Sequence, residues 1–178
     1  MGDDMAAPPT PRLAGGSPRI LVAVDESDGA EAAFRYALTL LRRNDNIYVL
    51  HVLDPTTVSA WRADAQQGGA GSSSEVEAAM DARVDALLNR YRKLAHVSGV
   101  ICHGVSRKAS DRRQEVCQAV VRQDIELLVV GTRQLSAVAR AIKGSVSDYL
   151  LHNCSCPVLV VPWEHMLKFK SLSSFKSR

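Results

Sequence analysis

No stretch of this sequence approaches the ~20 consecutive apolar residues that span a bilayer, so no membrane helix is expected. Met1 to Pro11 is acidic and then rich in Ala and Pro, without the basic-then-apolar order of a secretory signal. Met1-Gly2 starts like a myristoylation motif, but that motif needs Ser or Thr where Ala6 stands. Cysteine is sparse: Cys102, Cys117, Cys154 and Cys156. His152, Cys154 and Cys156 cluster in a way that suggests a metal, yet a second ligand pair at zinc spacing is missing. Reduced thiols in a cytoplasmic protein are the simpler reading, with Cys102 and Cys117 inside apolar segments. Strong charge is missing too. The formal net charge is +3, and Lys168, Lys170, Lys176 and Arg178 at the tail carry much of it. The body is close to neutral, so no nucleic-acid or membrane-surface partner is expected. Catalytic signatures are likewise missing: no Gly-Lys-Ser/Thr phosphate loop, no Gly-x-Ser-x-Gly elbow, no paired-His metal motif.

What is there is an ordinary globular composition, with 46% hydrophobic and 23% charged residues over 178 positions. That length fits one domain with disposable ends. Residues 1–17, rich in Pro and Gly, read as a disordered lead-in, 18–163 as the domain, and 164–178 as a basic, solvated tail.

Within the domain, apolar runs alternate with helical patterns. Arg19 to Val24 reads as a strand closed by the polar turn Asp25-Glu-Ser-Asp28, where Ser27 or Asp28 can cap a helix. Ala33, Ala37, Leu40 and Leu41 carry that helix, and Asn44-Asp45-Asn46 stops it. Ile47 to Leu53 is nearly continuously apolar apart from His51, as befits a strand buried on both faces. A long Gly/Ser/Gln-rich connection from Asp54 to Ser74 follows. Val76 to Ala95 returns to helical spacing. Gly99 to Val105 reads as a third strand, Ser106 to Arg113 as a basic loop, and Val116, Ala119 and Val120 as a third helix. Leu127 to Val130 is a buried strand, Val146 to His152 a short helix, and Pro157 to Val161 the last strand. Strands separated by helices lie parallel, which predicts an open, doubly wound α/β sheet of five strands with helices on both faces. Ligands of such sheets bind beyond the carboxyl ends of the strands.

Two segments lie at those ends. Asp25 can accept hydrogen bonds from a ribose hydroxyl or a base amine, or it can be a plain turn acid. Gly131 to Ser145 runs from a strand end to a helix start. Gly131 permits close backbone approach, and Gly144-Ser145 offers amides and a hydroxyl to an anion. Arg133, Arg140 and Lys143 add positive charge nearby; the plain alternative is a basic surface loop with a helix cap.

Val22-Ala-Val-Asp25, Leu50-His-Val-Leu-Asp54, Leu127-Leu-Val-Val-Gly131, Gly144-Ser-Val-Ser-Asp-Tyr149 and Cys156-Pro-Val-Leu-Val-Val161 together resemble the universal stress protein family. The resemblance covers essentially the whole domain in order. It implies a Rossmann-like sheet of order 3-2-1-4-5 and binding of an adenine nucleotide, ATP, ADP or AMP, with Mg2+ alongside a triphosphate. It implies that Ala23, Val24, Asp25 and Val52 flank ribose and adenine, and that Val130 and Gly131 lie by the sugar and α-phosphate. Arg133, Gln134, Gly144, Ser145, Val146 and Ser147 would hold phosphates. Gln134 departs from the family pattern, which has glycine there; its side chain can take the phosphate's place or donate a hydrogen bond to it. The resemblance also implies a homodimer built on Val158, Leu159, Val160 and Val161, a role in stress response or signalling, and at most slow ATP hydrolysis.

Three other readings compete. A receiver-type signalling domain needs an Asp ending the third strand, where His103 and Gly104 stand. A weak hydrolase lacks a second residue to act as base. A nucleotide-free interaction module would have its site closed by Gln134. Arg107-Lys-Ala-Ser110 resembles a basophilic phosphorylation site and is read as a solvated loop.

Overall fold

The computed structural model describes residues 17–56, 58–59, 73–132 and 146–166. Five strands form one sheet: β1 (Ile20–Ala23), β2 (Asn46–Leu53), β3 (Ile101–Lys108), β4 (Leu127–Gly131) and β5 (Val158–Val161). Among the described residues the main helices between them are α1 (Asp28–Thr39), α2 (Ser73–Val97), α3 (Arg112–Arg122) and α4 (Val146–Asn153). The order is β3-β2-β1-β4-β5 and every pairing is parallel. β1 is therefore central, with Ala23 level with Leu50 of β2 on one side and Val130 of β4 on the other. This order excludes the receiver reading on geometry. A receiver sheet runs 2-1-3-4-5, whereas here β3 is an edge strand two places from β1.

Alternation along β1 builds two cores. Ile20, Val22 and Val24 face the first, with Ala33, Phe34 and Ala37 of α1 and Val84, Leu87, Leu88 and Tyr91 of α2. Leu21 faces the second, with Leu50, Val52, Leu128 and Val130, beneath Val116, Ala119 and Val120 of α3 and Leu150 of α4. Burial on both faces is why β2 and β4 read as continuous apolar runs. Ser27 caps α1, its hydroxyl accepting from the Ala30 N–H at 3.2 Å. Asp111 caps α3, accepting from the Arg113 and Gln114 amides.

Several boundaries differ from expectation: α1 ends at Thr39, so Leu41 lies beyond it and Leu40, expected on its apolar face, is an exposed cap residue. Gly99 is a turn residue with φ +73°, so β3 starts two residues later than the sequence suggests. The strand then runs on through Ser106, Arg107 and Lys108, expected to be loop, because they pair with His51, Val52 and Leu53. An edge strand tolerates polar residues that a central one does not. At the other end the packed chain continues past Trp163: Met166 is buried in the first core, and the His165 ring lies edge-on to Tyr36.

Candidate functional site at the carboxyl ends of the central strands

The chain leaves β1 through Val24 and Asp25, and four neighbouring residues fix that exit. The Val24 N–H donates to the Leu50 carbonyl at 2.9 Å, continuing the ladder with β2. The Val24 carbonyl accepts from the His51 ring Nδ1–H at 2.9 Å, which explains the single polar residue in the β2 run. The Asp25 carbonyl accepts from the Tyr91 hydroxyl at 2.9 Å. Tyr91 is fully buried, and burial pushes its phenol well above the ordinary range, so it serves as a neutral donor. The half-buried Asp25 carboxylate accepts from the Ser27 amide at 2.9 Å and from the Ser27 hydroxyl. Asp25 is thus a turn acid whose carboxylate is held at the strand rim.

Around this exit the acids are paired with arginines. Glu26 meets Arg83 of α2 in a two-pronged contact of 2.6 and 2.5 Å, and the Arg83 hydrogen bond lowers its pKa. Glu31, with its side chain 7% exposed, is held by Arg35 at 2.7 Å and by Arg90 of α2. On the β2 side, Asp54 accepts from the Thr56 amide and hydroxyl at 2.8 and 2.7 Å and lies 3.7 Å from Arg112. Sequence reasoning missed Tyr91, Arg83 and Arg90. The signal was weak: three residues on one long helix, whose contacts with the β1 exit and α1 span 57 to 66 positions.

At Gly131 the close approach is made by the chain itself. A Cβ there would meet the Gly29 carbonyl oxygen at 2.0 Å and the Ala30 nitrogen at 2.8 Å, because the first turn of α1 lies against the end of β4. β4 and β5 stay joined just beyond, with the Thr132 N–H donating to the Val161 carbonyl at 2.9 Å.

The structure brings Ala23, Val24, Asp25, Val130 and Gly131 together at adjacent strand ends, with Val52 one strand over, two residues beyond Leu50. Val52 and Val130 are buried and form an apolar floor on the α3 and α4 face. Val146 and Ser147 begin α4 on that same face. Arg133, Gln134, Gly144 and Ser145 lie outside the described residues. The described part places apolar strand ends beside a fixed carboxylate that can accept hydrogen bonds. It sits between β1 and β4, where chain connections diverge to opposite sides of the sheet.

His152 turns its Nδ1–H to the Asp148 carbonyl within its own helix at 2.8 Å, and no metal-ligand cluster occurs among the described residues. Nor is any described helix long and apolar enough to cross a membrane. A shallow depression lined by Asn89, Arg92, Lys93, His96 and Val97 lies along α2 and contains none of the expected site residues. All five come from one helix, which makes it an open surface rather than a site.

The fold is that of an open, doubly wound α/β protein, with the candidate rim at the β1–β4 divide. Residues 17–162 match the profile of the universal stress protein family. A Staphylococcus aureus (strain USA300) protein assigned to that family is 31% identical over 149 residues, covering 83% of this chain and 85% of its own. The chain belongs to the universal stress protein family. Among solved structures, an Arabidopsis thaliana member crystallised with AMP bound superposes with a TM-score of 0.57 at 23% identity, over 82% of this chain and 91% of that one. A universal stress protein in complex with cAMP gives 0.57 at 16% identity, over 83% and 98%.

Proposed function

We propose that this protein binds an adenine nucleotide at the carboxyl ends of β1, β2 and β4 and acts as a cytoplasmic homodimer in stress response or signalling. The observation that carries the reading is the Asp25 carboxylate, fixed at the β1–β4 divide beside the apolar ends Val52 and Val130. The AMP and cAMP held by two family structures support it, since both share the adenosine moiety this rim suits. Asp25 accepts from the ribose hydroxyls, and Val52 and Val130 pack on the base. Gly131, Arg133, Gly144, Ser145, Val146 and Ser147 serve the phosphate end. ATP enters with Mg2+ and AMP without it. No residue pair in the described rim supplies a base and a stabilised leaving group, and the protein is read as a binder with at most slow ATP hydrolysis.

Gln134, in the place of a family glycine, favours a second reading in which the phosphate end is closed and dimerisation is the function. Titrating ATP, ADP and AMP by calorimetry into wild-type and Gln134→Gly protein separates the two. Micromolar AMP binding by the wild type supports the first reading. Binding of all three nucleotides only after Gln134→Gly supports the second.

The dimer rests on β5. The Pro157 and Val161 carbonyls accept from the Leu128 amide of β4 and from the Thr132 amide just beyond it, at 3.0 and 2.9 Å. By ladder alternation, Val158 and Val160 then turn their N–H and C=O groups to the outer edge. A short apolar edge without charge is suited to pairing with a second copy.

A further inference from the structure

Three of the four cysteines converge where sequence distance hides it. Cys117 lies in the middle of α3 and Cys154 directly after α4, 37 residues apart in the chain, and the two helices pack on each other. Their sulfurs are 3.0 Å apart. Both are free thiols and both are half-buried rather than sealed. The Cys154 N–H donates to the Leu150 carbonyl at 3.0 Å, which anchors its backbone to the last turn of α4. Cys156 stands close enough to act electrostatically on Cys154. A disulfide has a sulfur separation of about 2.05 Å, so bond formation asks for roughly 1 Å of approach, within the reach of small side-chain rotations. With no ligand cluster in the described residues, a metal does not account for the pair.

We propose that Cys117 and Cys154 form a redox-active dithiol that hydrogen peroxide converts into an intramolecular disulfide tying α3 to the end of α4. The chemistry balances in two steps. The Cys117 sulfur, as thiolate, attacks one peroxide oxygen and breaks the O–O bond; the departing hydroxide takes the released thiol proton and leaves as water, giving a sulfenic acid. The Cys154 sulfur then attacks the sulfenic sulfur and breaks its S–O bond, and that hydroxide leaves with the Cys154 proton as a second water. Two thiols lose two electrons in all, and one peroxide gains them. Burial, together with the neighbouring Cys117 and Cys156 thiols, pushes the Cys154 thiol up, which disfavours it as the first nucleophile towards peroxide.

The test treats the reduced full chain with millimolar hydrogen peroxide and maps its peptides without reduction. The proposal predicts a Cys117–Cys154 linked peptide as the main product, an intact mass lower by two hydrogens, and reversal by dithiothreitol. Cys154→Ser should leave a Cys117 sulfenic acid that dimedone labels, whereas Cys102→Ser should leave the link unchanged. Main products that join Cys154 to Cys156, link two chains through Cys102, or carry only sulfinic or sulfonic acid would overturn it.

Discussion

Gly131 shows how a single missing methyl group holds two elements together. A Cβ on it would stand 2.0 Å from the Gly29 carbonyl oxygen, and both atoms belong to backbone that cannot swing away. Gly131→Ala should therefore cost about 3 kcal/mol, the upper part of the overpacking range, as read by urea denaturation. A loss below about 0.5 kcal/mol would mean that α1 does not lie against β4 in solution. Tyr91 makes a gentler case. Its hydroxyl donates to the Asp25 carbonyl from a fully buried position. Tyr91→Phe leaves that acceptor short of a partner and should destabilise by about 1 kcal/mol in the same assay. An unchanged midpoint would show that the carbonyl finds another donor. These two residues fix where Asp25 stands, yet only Gly131 was singled out in the sequence, and for a ligand rather than for α1.

At the scale of the element, the caps tie helix starts to strand ends, and one of them titrates. Asp111 accepts from the Arg113 side chain and from two backbone amides, and these bonds, the Arg113 side chain first, lower its pKa to about 2. A carboxylate depressed in the folded state adds stability that is present above its unfolded value, near pH 4, and is lost as pH falls towards about 2. The stability difference between wild type and Asp111→Asn should thus shrink across that window; a difference that stays constant with pH would contradict the assignment. The same scale shows what the sequence could disclose. β2 and β4 were legible as apolar runs, broken in β2 by His51, because both faces are covered, and α1 was legible from Ser27 and from Ala33 and Ala37. The end of β3 was not, because Ser106, Arg107 and Lys108 pair through their backbones at an exposed edge, where side-chain polarity reports nothing. The candidate site divides in the same way. Asp25 and Gly131 follow from strand ends, and Val52 and Val130 only from the family resemblance, whereas Tyr91, Arg83 and His51 act by long-range contacts that no local pattern encodes.

For the whole molecule, the sheet order decides where the proposed site lies. With β1 central and its neighbours reached by connections to opposite sides, the carboxyl ends of β1 and β4 form the natural rim, and β5 is left as an apolar edge. A dimer through that edge predicts a light-scattering mass of twice 19.3 kDa. Val160→Pro removes an outward N–H without touching the ladder to β4, so it should halve that mass while the far-ultraviolet circular dichroism is kept. A wild-type mass of one chain at micromolar concentration would sink the dimer. The central claim concerns the rim itself, and the most direct measurement is calorimetric titration of AMP into wild-type, Asp25→Asn and Asp25→Ala protein. The account predicts saturable binding by the wild type, weakening of about tenfold or more in Asp25→Asn as a charge-assisted bond to the ribose is lost, and no detectable binding in folded Asp25→Ala. Equal affinity in all three proteins, or no heat with millimolar AMP in the wild type, would contradict it.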